Sequence, residues 1–120
     1  MRRPSTLFNL AIQLAVVVSL LSAPAAAADK QYVYCWSAGL KPDGPGFFSK
    51  VFLAETTKQQ AIEIAFGKYV MRNYEDDNPG PGQCNYYSSK DATESALDTA
   101  RKEVKWNNRR VVDTGWVYSE

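Results

Sequence analysis

The chain has 120 residues, with 14 lysines and arginines against 13 aspartates and glutamates, and no histidine. That length suits one small domain with a leader, and the near-balanced charge excludes the basic excess of a nucleic-acid binder. The missing histidine removes the commonest general base and a principal zinc ligand.

Residues 1–28 read as a secretory signal peptide. Arg2 and Arg3 form a positive start, an apolar run from Leu7 to Leu21 is broken only by Asn9, Gln13 and Ser19, and Ser22-Ala23-Pro24 with Ala25 to Ala28 places small residues before a cut after Ala28 or Ala27. A spanning helix needs about 20 apolar residues, so an uncleaved anchor is the weaker reading. The arginine pair is followed by Pro4-Ser5-Thr6, without the hydrophobic pattern of twin-arginine export. The first cysteine, Cys35, lies behind Gln31-Tyr32-Val33-Tyr34, too far from the cut for lipidation. No later segment is apolar enough to span a membrane once the leader is cleaved. Residues 29–120 are therefore expected to form a single small α+β domain in the periplasm or outside the cell. Without Arg2 and Arg3, 12 basic residues face 13 acidic ones, a net charge of −1.

In an exported chain the two cysteines, Cys35 and Cys84, read as a disulfide. The bridge closes 49 residues, for which chain entropy gives about 4 kcal/mol. No C-x-x-C and no histidine support redox or zinc chemistry.

Residues 31–37, rich in Tyr, Val and Trp, favour a strand. Residues 39–46 are a Gly- and Pro-dense turn, and residues 47–53 (F-F-S-K-V-F-L) predict a second strand, paired with the first as a hairpin. Thr56 with Gln59, or Thr57 with Gln60, fits a capping box. Ile62, Ala65, Phe66, Tyr69 and Val70 then recur at helical spacing. The helix should fade near Tyr74, ahead of the breaker-rich segment 75–82. Residues 83–88 read as a third strand. Ser88 or Ser89 caps a second helix whose buried stripe is Thr93, Ala96, Leu97, Ala100 and Val104, and Asn107-Asn108 ends it. Residues 110–118 form the last strand.

The pattern is ββαβαβ, a two-layer domain with a four-stranded mixed sheet. Right-handed crossovers that step the same way across the sheet put both helices on one face. A strand order 2-1-3-4 meets that condition and sets the cysteine-bearing strands side by side.

Catalytic patterns are absent: there is no G-x-S-x-G and no S-x-x-K, and no catalytic residue is assigned. Glu75-Asp76-Asp77-Asn78 is dense in oxygen ligands but lacks calcium-loop spacing; it reads as a solvated loop, and neither metal nor cofactor is expected. Strand alternation puts Tyr32, Tyr34 and Trp36 on one face of the first strand, while Val112, Thr114, Trp116 and Tyr118 share a face of the last. With both helices on the other side, Tyr32, Tyr34 and Trp36, extended by Trp116 and Tyr118, form a candidate contact surface for a protein or an envelope polymer. The alternative is that these rings are core.

The cysteine-bearing Y-V-Y-C-W-S strand, the F-F-S-K-V-F strand, Ala65-Phe66 with Tyr69-Val70, the lone Cys84 and the closing V-V-D-T-G-W (Val111 to Trp116) resemble a group of short exported proteins of Gram-negative bacteria with one cysteine pair and a terminal V-V-x-T-G-W. The resemblance implies bacterial export and a structural role for Cys35 and Cys84, and no catalytic residues. The expected function is non-enzymatic binding, inhibitor-like or toward an envelope polymer. The alternatives are a small enzyme built on a spatial carboxylate or Ser-Lys cluster, and a subunit of an envelope assembly.

Overall fold

The alternating Tyr, Val, Tyr, Cys and Trp side chains that favour a strand lie in β1 (Lys30–Ala38), the axis of the sheet. The computed structural model describes residues 29–119, and the signal peptide read over residues 1–28 lies outside them. One edge of β1 takes β4 (Gln83–Tyr87), antiparallel, with Cys35 opposite Cys84. The other edge takes β2 (Gly46–Phe48) and β3 (Phe52–Glu55), both antiparallel to β1 and set end to end along it. Outside β2 lies β5 (Val111–Asp113), parallel to it. The sheet is mixed, and with two helices it makes an α+β fold.

The strand predicted over residues 47–53 is thus two strands interrupted at Ser49. The Ser49 N–H donates to the Cys35 carbonyl at 2.9 Å, and the Cys35 N–H donates to Ser49 Oγ at 2.8 Å. A buried hydroxyl stands in for the backbone acceptor and keeps the ladder satisfied across the break.

Helix α1 (Gln59–Asn73) follows a 3-10 turn, Thr56–Lys58, and buries Ile62, Phe66 and Val70. The expected threonine capping box does not form: no side chain caps this helix, and the Gln59 amide donates instead to the Cys84 carbonyl at 3.3 Å. Helix α2 (Lys90–Trp106) is capped as the sequence suggests, with Ser89 Oγ accepting from the Ala92 N–H at 3.1 Å. Thr93 is fully buried on its inner stripe.

The two helices lie on opposite faces of the sheet, which corrects the two-layer arrangement. Under α1 sit Val33, Cys35, Phe47, Ala54 and Cys84. Under α2 sit Tyr34, Trp36 and Phe48, with Ala100 and Val104 above them, and a Cβ added to Gly46 would lie 2.9 Å from Val104 Cγ2. The cause is where the last strand lands. It joins β2, not the strand bearing Cys84, so the chain steps from β3 over β1 to β4 and then back across to β5. Both steps connect parallel strands, and two right-handed crossovers of opposite direction must use opposite faces.

Backbone contact fixes α1 against the segment leading into β4. A Cβ on Gly82 would fall 2.5 Å from the Glu63 carbonyl oxygen and 2.8 Å from the Gly67 nitrogen. Neither neighbour is a flexible side-chain tip, so Gly82→Ala must push helix and strand apart. We expect a loss of about 1–3 kcal/mol, the range for overpacking, read as a lower urea midpoint; an unchanged midpoint would refute the contact.

Candidate functional site

The cysteines pair as expected, with 4.0 Å between their Cα atoms. Cys35 directs its N–H and carbonyl toward Ser49, away from β4, and Cys84 directs its own toward α1, where its N–H donates to the Glu63 carboxylate at 2.9 Å. The two residues therefore face each other as a non-hydrogen-bonded pair, the type with the closest backbone approach in an antiparallel ladder. Glu63 and Gln59 also cover the edge of β4 at this point, where bare backbone groups would otherwise invite pairing with another chain. Both cysteines are buried, so this centre is structural.

The five aromatic residues of the candidate contact surface do not come together. Trp116 and Tyr118 pack on the α1 side, where Trp116 meets Phe52 edge-on at 5.8 Å, Phe66 at 5.1 Å and Tyr118 at 6.3 Å between ring centroids. Tyr32, Tyr34 and Trp36 share the opposite face, which α2 partly roofs. Tyr34 is buried, whereas Tyr32 and Trp36 remain half-exposed.

What the α2 side offers is a cleft rather than an open face. A cavity of about 300 Å³ is floored by Tyr34, Trp36 and Phe48, walled by Ala100 and Val104 of α2, and rimmed by Asn85, Glu103, Asn107 and Arg109. The small side chain of Ala100 leaves room beneath the helix, and Asn107 and Arg109 enter where the chain leaves α2 through Asn108, whose φ is +58°. Its size is at the lower end of small-molecule sites, and its apolar floor with a few polar groups has their usual make-up.

The polar groups are held in place. Asn85 lies opposite Tyr34 in the ladder, and its amide donates to the Tyr34 hydroxyl at 3.1 Å. The Tyr34 ring lies nearly parallel to Tyr87, with centroids 6.3 Å apart. Burial pushes the Tyr34 phenol above its ordinary value; the Asn85 hydrogen bond opposes this, and Tyr87 and the Glu103 carboxylate add to it. The hydroxyl therefore keeps its proton at neutral pH and remains a donor. Arg109 donates through Nε to the Gly44 carbonyl and through Nη2 to the Gly39 carbonyl, the latter at 3.0 Å. One guanidinium thus ties the turn after β1 to the rim of the cleft. Asn107 donates to the Glu103 carbonyl at 3.0 Å.

Sequence alternation identifies Tyr34 and Trp36 as sharing a face, but nothing in local spacing points to Asn85, Glu103, Asn107 or Arg109. These four reach the cleft only because α2 recrosses the sheet. A second, wider groove of about 500 Å³ runs by Lys50, Lys90, Glu94, Arg101 and Asp113. Within it Arg101 and Asp113 form an ion pair at 2.7 Å. Among the described residues no group of three or more His, Cys, Asp or Glu side chains is placed to hold a metal ion, and no helix is long and apolar enough to cross a membrane. Asp77, from the acidic segment after α1, pairs with Arg110 at 3.3 Å. Compared with protein-family models, curated proteins and solved structures, the chain matches none of them.

Proposed function

We propose that this is an exported, non-enzymatic binding protein of the periplasm or extracellular space, and that its ligand enters the cleft between α2 and the aromatic face of the sheet. The observation that carries the reading is the half-exposed Trp36 beside a buried Tyr34 and Phe48, under a rim of amide, carboxylate and guanidinium groups. An apolar floor with a few fixed polar groups is how ligand sites combine affinity with orientation. The buried disulfide supports an oxidising compartment, as does the resemblance to short exported bacterial proteins.

Export predicts a processed chain. Intact-mass measurement of protein recovered from the periplasm is expected to give a chain starting at Asp29 or Ala28; a retained leader or a lipid adduct contradicts it.

Binding is tested by amide and indole chemical shifts during titration with soluble envelope fragments, separated into peptide and glycan pools. One pool is expected to shift Trp36, Asn85 and Asn107 together. Trp36→Ala should remove at least about nine-tenths of the affinity, as truncating a central aromatic anchor does. Because the ring is half-exposed, the same change should cost less stability than the roughly 3–5 kcal/mol of a fully buried tryptophan. If neither pool moves the cleft resonances, or the shifts fall elsewhere, the site is misplaced.

A further inference from the structure

We infer that the occupant of the cleft is a neutral sugar ring, presented as one residue of an envelope glycan; this rests on the cleft being the binding site. Each rim donor is anchored and keeps N–H groups to spare: Arg109 spends two of its five on the Gly44 and Gly39 carbonyls, and Asn85 and Asn107 each spend one of two amide hydrogens, on the Tyr34 hydroxyl and the Glu103 carbonyl. The acceptors are open as well. Among the described residues, no group donates to Asn85 Oδ1, to Asn107 Oδ1 or to the Glu103 carboxylate. Glu103 and Asn107 are exposed and meet water when the cleft is empty, so a ligand that displaces that water must bring both donors and acceptors and lay an apolar face on Trp36.

A sugar ring has that constitution. Its hydroxyls donate around the edge, and its C–H face packs on the flat indole, whose own N–H can reach outward to an oxygen. An ammonium or guanidinium would also meet the acceptors, but the cleft is not an anionic site. Glu103 carries its only carboxylate, Arg109 its only cation, and the formal charges cancel. A second positive group would face Arg109 across the same small cavity. The rim includes the exposed Glu103 and Asn107, so the ring bound need not be a free monosaccharide.

The experiment titrates the processed protein separately with cellotriose, maltotriose and chitotriose, each to about 10 mM, and with n-butylammonium chloride as the cationic probe. At least one trisaccharide is expected to give saturable shifts at the Trp36 indole, Asn85 and Asn107, and n-butylammonium none. Glu103→Gln keeps the shape and one acceptor oxygen, so it should weaken the sugar by about 3–10-fold, the difference between a charged and a neutral acceptor. Three results overturn the assignment: silence of the cleft toward all three sugars, sugar shifts confined to another surface, or no change of affinity in Glu103→Gln. If n-butylammonium or the peptide pool moves the cleft while the sugars do not, the sugar assignment fails and the cleft remains a binding site. If no probe and no fragment pool moves it, the binding reading fails too.

Discussion

Replacing both cysteines, as Cys35→Ala with Cys84→Ala, should lower stability by about 4 kcal/mol, the chain-entropy value for a 49-residue loop. In a domain of this size each kcal/mol moves the melting temperature by roughly 4–8 °C, so a fall of about 15–30 °C is expected. The loss is almost wholly in the unfolded state. In the folded state the strands bearing the cysteines remain in register, because five residue pairs from Tyr32 opposite Tyr87 to Trp36 opposite Gln83 define the ladder. Glu63 and Gln59 still grip the Cys84 backbone from α1. The variant should therefore keep the native far-ultraviolet spectrum at low temperature while melting early. The double substitution is the better test, because both sulfurs are buried and a reductant reaches them only as the fold opens. Melting curves of the two proteins decide the matter: a difference under about 3 °C, less than 1 kcal/mol on the same scale, would mean the bridge contributes little.

The bridge was also the feature most open to reading from sequence, because it follows from compartment and count rather than from geometry. Strand-forming runs and the inward faces of both helices were legible for a similar reason: Val33 and Cys35, Ile62 with Phe66 and Val70, and the Thr93-to-Val104 stripe are local periodicities. The placement of β5 is not local. It depends on the Thr114 N–H donating to the Phe48 carbonyl and on the Lys50 N–H donating to the Trp116 carbonyl, at 2.9 and 3.0 Å, across more than sixty residues of chain. Once β5 sits beside β2, α2 must cross the other face, and the expected open aromatic face becomes a roofed cleft.

One signal did point there. β1 is apolar on both faces, Val33 and Cys35 on one and Tyr34 and Trp36 on the other, and Phe47 and Phe48 are adjacent. A strand without a polar side is the mark of a sheet covered on both faces. The rim of the cleft carries no such mark. Asn85, Glu103, Asn107 and Arg109 are ordinary surface residue types, and only the recrossing of the chain assembles them.

Trp116→Ala is expected to cost about 3–4 kcal/mol, near the low end of the range for deleting a packed tryptophan because its ring keeps some exposure. The residue closes the terminal V-V-D-T-G-W, and the structure gives each part of that motif a task. Val111 and Val112 pair with β2, and Asp113 holds Arg101. Thr114 Oγ1 donates to the Phe48 carbonyl and accepts from the Trp116 N–H, which fixes the chain as it leaves the sheet. Gly115 sits at φ +74°, a conformation that side chains resist. Trp116 then lies over Phe52, Phe66 and Tyr69, covering the end of the core beneath α1. Removing the indole leaves those three rings facing solvent and deprives the tail of its main anchor. Phe66, now fully buried, would lose its aromatic neighbour. Trp106 supplies the control, since it is 83% exposed at the end of α2, and Trp106→Ala should change stability by less than about 0.5 kcal/mol. Urea unfolding of the two variants separates the possibilities. A large loss for Trp116→Ala and none for Trp106→Ala places Trp116 in the core; equal, small losses would mean that the tail is a surface appendage and that its tryptophan is free to serve as a contact residue after all.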